Sequence, residues 1–161
     1  MNAYTVLQDH HTVIKGLVKK ISSTPAVAPE RQEYLDDLLV ELDIHFRIED
    51  DLYYPALAAA SDLVAVAHAE HRQVIDQLSV LLRTSPTAPT YDDEWHSFAT
   101  VLEAHADEEE RDMIPMPPPV KITDAELVEL GDKMASRIEQ LRESTAFKLR
   151  VKGRKSLLRA L

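Results

Sequence analysis

The chain has 161 residues and no cysteine, and its 28 acidic residues against 18 lysines and arginines give a formal net charge of −10. Without cysteine, disulfides, thiolate nucleophiles, iron–sulfur clusters and cysteine-ligated zinc are excluded, so any metal needs imidazole, carboxylate or phenolate ligands. The length suits one buried domain, and the negative charge argues against general binding of nucleic acids.

The composition predicts an all-α protein, because only three glycines occur and strong helix formers are abundant. Proline-rich loops separate the helical segments. In chain order, helices are predicted over about 3–22, 30–54, 61–83, 92–115 and 123–143. The expected architecture is an up-down antiparallel four-helix bundle over residues 1–115, with a short additional C-terminal helix.

Residues 116–161 are predicted to hold a proline-rich linker, this fifth helix and a basic tail that packs on the bundle or extends from it. After Glu143 the chain has six basic residues and no acidic ones: Lys148, Arg150, Lys152, Arg154, Lys155 and Arg159. We find no apolar run of membrane-spanning length and no signal-peptide pattern at the N-terminus. These features lead us to expect a cytoplasmic monomer or weak dimer with no membrane partner.

One motif occurs twice. HFRIEDDLYYP begins at His45 and HADEEERDMIP begins at His105, and in each a glutamate, Glu49 or Glu109, follows the histidine four residues later. On a helix, residues four apart project from the same face. Two such helices facing each other would offer four ligands to a pair of metal ions.

Further histidines lie on the apolar faces of the other helices. His10 lies in line with Val6, and His11 lies on a second stripe with Leu7, so periodicity does not decide between the two histidines. On the third helix, His68 and His71 share one apolar face. A single inward histidine is usually a satisfied core residue. Glutamates on apolar rows are different, because a buried carboxylate without a partner is costly, and this favours a metal site.

The two copies of the motif differ at the tyrosines. Tyr53 and Tyr54 in the first copy correspond to Met113 and Ile114 in the second. Either tyrosine can close the end of the bundle, donate a proton near the metals or bind ferric iron. Ideal helix angles favour Tyr53, but the following proline makes the local geometry irregular. Asp50 and Glu110, next to the glutamates, are candidates to accept hydrogen bonds from ligand imidazoles, and Asp50 also to handle protons.

These motifs together resemble those of the hemerythrin-like (HHE cation-binding) family in its compact bacterial form, over about residues 1–115. The pairs Asp9-His10 and Glu70-His71 are similar to the family's first-helix and third-helix motifs, and the repeated motif is similar to those of its second and fourth helices. Oxygen-carrying hemerythrins place two third-helix histidines four apart, whereas this chain has them three apart. The resemblance implies metal ligation by six residues: His10, His45, Glu49, His71, His105 and Glu109. His68, which shares the apolar face of the third helix with His71, and Tyr54 are further candidate ligands.

The resemblance implies two iron ions, bridged by oxo or hydroxo and by the two glutamates. Such a site is richer in nitrogen than ferritin-type centres and suits exchange with O2, hydrogen peroxide or nitric oxide. The first hypothesis is a catalase-like enzyme of oxidative or nitrosative stress defence that disproportionates peroxide. The alternatives are a carrier or scavenger of O2 or nitric oxide without turnover, and an iron or oxygen sensor module.

Overall fold

The computed structural model describes residues 1–160, and within them every regular element is helical. This confirms the all-α class. The six long helices are α1 (Ala3–Ser22), α2 (Pro29–Ile48), α3 (Ser61–Leu82), α4 (Tyr91–Asp112), α5 (Asp124–Glu143) and α6 (Thr145–Ala160). None of them is long and apolar enough to cross a membrane.

Local sequence signals explain where the helices begin. The Asn2 side chain accepts a hydrogen bond from the Thr5 backbone N–H at 3.0 Å and so caps α1. Pro29 occupies the first turn of α2, where its missing N–H costs nothing. A reciprocal capping box between Thr123 and Glu126 starts α5. The bounds predicted for the first helix, 3–22, are confirmed.

Packing between helices buries one continuous apolar core. Helix α1 packs against α2, and α3 packs against α4. Helix α5 lies across α1 and α2, while α6 contacts α2 and α3. The largest fully buried apolar side chains include Phe98, Phe147 and Leu38. Each such side chain contributes roughly 1.5–3 kcal/mol through its removal from water.

The C-terminal segment differs from the prediction of one short helix. Helix α5 is as long as α1, with 20 residues, and the basic tail forms a further helix of 16 residues. The tail is not a solvated end, because Phe147 and Val151 are buried in the core. Two of its basic side chains meet carboxylates of α2, in the pairs Lys155–Asp36 and Arg154–Asp43.

Helix α2 also departs from the predicted range of 30–54. Its regular hydrogen bonding ends at Ile48, and residues 49–53 form one wider π turn in which the Tyr54 N–H donates to the Glu49 carbonyl, five residues back. Pro55 lacks a backbone N–H, so the local ladder must rearrange here. Single π turns of this kind often occur at functional sites.

Gly131 on α5 provides a test of how tightly this helix is docked. A Cβ at this position would lie 2.5 Å from the Asn2 carbonyl carbon and 2.7 Å from the Ala3 nitrogen. Both atoms belong to the backbone and cannot rotate away. We expect Gly131→Ala to lower the free energy of unfolding by about 1–3 kcal/mol, as overpacking does, measured by urea denaturation.

Gly153 on α6 is the matched control, because a Cβ there meets nothing within 4 Å. The expected effect of Gly153→Ala is a gain of about 0.5–1 kcal/mol from helix propensity. Equal effects of the two substitutions would show that α5 is not held closely against the N-terminus.

Candidate metal centre

Four helices and the π turn bring six potential ligands to one place inside the protein. Helix α1 contributes one histidine, α2 with its π turn a histidine and a glutamate, α3 one histidine, and α4 a histidine and a glutamate. All six are buried: His11, His45, Glu49, His71, His105 and Glu109.

The first group of these side chains contains two histidines and both glutamates. Ligand atoms of His11, His45, Glu49 and Glu109 all lie within 4.8 Å of one another. His11 Nε2 is 3.1 Å from a Glu109 oxygen, and His45 Nε2 is 3.4 Å from a Glu49 oxygen. Ligands about 2 Å from a common ion lie roughly 3 Å from each other, so these separations suit one metal.

The second group shares Glu49 with the first. His71 Nε2 lies 3.0 Å from Glu49 Oε1, and His105 Nε2 lies 3.8 Å from the same oxygen. The two Nε2 atoms are 3.2 Å apart. The second oxygen of Glu109, Oε2, is 3.9 Å from His105 Nε2. Both glutamates therefore lie between the two pairs of histidines.

Several of these ligand atoms are buried without any hydrogen-bond partner. They are His11 Nε2, His45 Nε2, Glu49 Oε2 and Glu109 Oε1. His11 and Glu109 approach each other closely, but not with the geometry of a hydrogen bond. Unpaired buried polar atoms cost about 1–3 kcal/mol each, and four in one place point to a ligand that they share. The donor set therefore fits metal cations.

The charges in the cluster point the same way. Burial lowers the pKa of His45 to about 3, so its imidazole is neutral and has a free lone pair. Burial together with the charge of Glu49 raises the pKa of Glu109 to about 8. Burial by itself lowers the pKa of His105. The hydrogen bond with Glu49 and the negative charge of Glu49 outweigh burial, and they raise the pKa of His105 to about 10. Glu109 and His105 thus hold protons that a metal displaces on binding.

Only one of the two tyrosines faces this cluster. The Tyr54 hydroxyl donates to Glu109 Oε2 at 2.8 Å and lies 3.1 Å from His71 Nε2. The Tyr53 hydroxyl instead donates to the Met113 backbone carbonyl at 2.6 Å. Each residue rotates less in a π turn than in an α turn, so Tyr54 lies nearer the direction of Glu49 than ideal helix angles predict.

Carboxylates lie behind three of the inward imidazoles. Glu70 Oε2 is 2.7 Å from His105 Nδ1, and Glu110 Oε1 is 3.2 Å from His11 Nδ1. Asp50 Oδ1 is 3.4 Å from His71 Nδ1. An acceptor at Nδ1 keeps the proton there and leaves Nε2 free for a metal. The sequence indicated Asp50 and Glu110 for this role; Glu70 was missed, although it lies next to His71.

Two histidines from the sequence-derived ligand set lie outside the cluster. The structure directs His11 towards the glutamates, whereas His10 lies behind His45, with its Nδ1 2.9 Å from His45 Nδ1. The His68 side chain is 43% exposed and lies 3.4 Å from Asp50, at the edge of the bundle. His68 shares with Asp50 and His71 a third, partly exposed group of possible ligands.

Two openings approach the cluster from the surface. A cleft of about 450 Å³ reaches His71 and is bordered by Phe46, Asp50 and Arg72. The Phe46 ring stacks on the His71 ring at 3.9 Å between centroids. A crevice of about 20 Å³ directly borders His105 and Glu109, with Leu63 and Ala67 on its apolar side.

Comparison with known proteins places this site among known cation-binding domains. The family model described as hemerythrin HHE cation binding domain matches residues 2–117. Uncharacterized proteins of Mycobacterium bovis and Mycobacterium tuberculosis are 64% identical to the chain over 161 residues, which is 100% of each. The crystal structure of a hemerythrin HHE cation binding domain-containing protein from Mycobacterium kansasii is similar at a TM-score of 0.92 and 71% identity. That match covers 100% of this chain and 99% of the other.

The ligand arrangement predicts how metal content responds to substitution. His105→Ala and His11→Ala each remove one imidazole from a different group, so each variant should bind at least one metal ion per chain fewer than the unchanged protein. Elemental analysis after iron loading and gel filtration measures this.

His96→Ala is the control for the metal measurement. This histidine lies on the same helix as His105 but is exposed, so its loss should leave the metal content unchanged. Full metal content in both the His105 and the His11 variant would contradict the arrangement.

Proposed function

The chain belongs to the hemerythrin HHE cation-binding family, and from this premise we propose that it is a di-iron protein that disproportionates hydrogen peroxide. In this proposal residues 1–115 form an up-down four-helix bundle that holds the metals, and residues 116–161 form an extension packed on it. The biological role is defence against oxidative or nitrosative stress, in the cytoplasm.

The donor set supports iron as the metal. Four imidazoles and two carboxylates, with a phenol beside them, are the ligand types that non-haem iron prefers, and manganese is also compatible with them. When bound, two irons supply two-electron redox chemistry between the diferrous and diferric states. His11 and His45 would hold one ion, His71 and His105 the other, and Glu49 with Glu109 would bridge them.

The approach to the site favours a very small substrate. A crevice of about 20 Å³ beside His105 has room for roughly one water-sized molecule. Leu63 and Ala67 border it on one side and the carboxylates of Glu70, Glu108 and Asp112 on the other, and this volume leaves no room for a larger organic substrate. Peroxide, O2 and nitric oxide satisfy this limit, whereas a hydrocarbon or a sugar does not.

Peroxide disproportionation must move two protons as well as two electrons. One H2O2 is oxidised to O2 and releases two protons and two electrons, and a second H2O2 takes them up to give two molecules of water. The Tyr54 hydroxyl, which donates to Glu109 at 2.8 Å, is the proton-bearing group placed to serve this exchange. The buried surroundings exclude bulk water and keep the protons at these groups.

A carrier of O2 or nitric oxide without turnover is the second candidate. The four inward imidazoles favour it, because a nitrogen-rich site stabilises the diferrous state needed for reversible binding. Tyr54 argues against it, because a phenol so close to His71 and Glu109 competes with a bound gas for the same space. For this reason we favour the enzyme over the carrier.

Oxygen evolution from peroxide tests the enzymatic proposal. The iron-loaded protein should evolve O2 from millimolar H2O2, measured with an oxygen electrode, well above the rate of the same amount of free iron. His105→Ala should lower the rate at least about tenfold, since it disrupts one half of the site. His96→Ala should retain the full rate. Reversible uptake of O2 without any evolution would support the carrier instead.

The role of Tyr54 has its own spectroscopic test. If its oxygen binds ferric iron, the oxidised protein has a visible phenolate-to-iron charge-transfer band, and Tyr54→Phe abolishes it. If Tyr54 only transfers protons, the band is missing in the unchanged protein and the substitution lowers the rate of O2 evolution. Tyr53→Phe is the matched control, because that hydroxyl points to the Met113 carbonyl and its loss should leave both spectrum and rate unchanged.

A further inference from the structure

His45 is the only one of the four inward histidines whose outer nitrogen does not face a carboxylate. Its Nδ1 lies 2.9 Å from Nδ1 of another imidazole, His10. The second nitrogen of His10, Nε2, lies 2.8 Å from Glu41 Oε2. A carboxylate therefore also lies behind His45, but the imidazole ring of His10 stands between the two.

A helix outside the family domain holds this carboxylate. Arg142 on α5 forms a two-pronged ion pair with Glu41, with Nε 2.8 Å from Oε1 and Nη2 3.0 Å from Oε2. The family model ends at residue 117, so Arg142 lies beyond it. These two hydrogen bonds from the guanidinium fix the plane of the Glu41 carboxylate and leave a lone pair on Oε2 that can accept from His10.

The order of donors along this chain follows from charge. Glu41 is ionised beside Arg142 and can only accept a hydrogen bond, so a neutral His10 carries its proton on Nε2. His10 Nδ1 is then an acceptor, which requires His45 to carry its own proton on Nδ1. His45 Nε2 is consequently left with a lone pair, and this atom is buried without a hydrogen-bond partner beside Glu49.

We propose that Arg142, Glu41 and His10 form a relay that fixes the tautomer of His45, so that the C-terminal extension controls metal binding on the His11–His45 side. His10 is a positioning residue in this relay and not a ligand. A neutral imidazole is a weaker hydrogen-bond acceptor than a charged carboxylate. The ion held by His11 and His45 therefore receives less electron density through His45 than the other ion receives through His105, and the two metals differ. The inference rests on the proposed metal centre but not on its reaction with peroxide.

Removing the charge of Glu41 is the sharpest test. In Glu41→Gln the side chain keeps its shape, but an amide can donate to His10 as well as accept, so the tautomers of His10 and His45 are no longer fixed. Metal-free full-length protein is titrated with cobalt(II) under argon, and the visible absorption of bound cobalt is recorded. Two cobalt ions should bind to the unchanged chain, and in the variant one of them should bind about 10–100-fold more weakly while the other is unchanged.

Further variants test whether Glu41, His10 and Arg142 position His45 or only stabilise the fold. His10→Ala should resemble Glu41→Gln, and Arg142→Ala should act in the same direction with a loss below about tenfold. Lys133→Ala is the control, since it breaks an exposed ion pair with Glu129 on the same helix and should bind cobalt normally. Normal cobalt affinity in Glu41→Gln would overturn the relay. Equal weakening of both sites, together with a lower unfolding temperature, would also overturn it, because it would indicate a purely structural ion pair.

Nitrogen NMR on the zinc-loaded protein provides a readout that a structural role would not change. Long-range proton–nitrogen spectra should show His10 protonated at Nε2 and His45 at Nδ1 in the unchanged chain, with a second His10 tautomer in Glu41→Gln. A His10 proton on Nδ1 in the unchanged chain would overturn the relay. Absence of cobalt binding to the unchanged protein would overturn relay and metal centre together. Normal cobalt results without O2 evolution would leave the relay standing and remove only the peroxide reaction.

Discussion

The arrangement of the whole molecule depends on two glutamates, Glu49 and Glu109, buried together inside a helical core. They are 0% and 3% exposed, and burial together with the charge of the first raises the pKa of the second to about 8. Two carboxylates so placed cannot both stay ionised without compensating positive charge. Four imidazole nitrogens converge on them and bear little charge of their own when neutral. Metal cations satisfy the carboxylates and the imidazole lone pairs together, which explains why so costly a cluster exists.

An outer layer of charge supports this centre. Carboxylates behind His11, His71 and His105 fix which ring nitrogen carries the proton, so the inner nitrogen is available to a metal. Some of the acidic residues that give the chain its negative net charge therefore act locally, by orienting the histidine ligands. Basic side chains from α5 and α6 balance another part, because they pair with carboxylates along α2. The extension is thus linked electrostatically to the helix that carries His45 and Glu49.

The two halves of the centre are not equivalent, although the motifs that build them repeat. The Tyr54 hydroxyl lies beside His71 and Glu109, and His10 takes the place of an outer carboxylate behind His45. In the proposed di-iron centre, chemical asymmetry of this kind would let one metal site interact with a small substrate while the other keeps a different electron density. In a catalase-like reaction the two peroxide molecules are treated differently, one oxidised and one reduced, which such asymmetry suits.

The sequence by itself determined the helical class, the bounds of the first helix, and the convergence of His45 with Glu49 and of His105 with Glu109. These features depend on interactions within a few residues, and a spacing of four on a helix places two side chains on one face whatever the surroundings. It did not decide between His10 and His11, because neighbouring residues on a helix are about 100° apart and both side chains can be buried. Only the packing of α2 and α4 against α1 directed His11 to the glutamates. The π turn that selected Tyr54 and the arginine that α5 contributes are likewise tertiary, since each depends on contacts between segments distant in the chain.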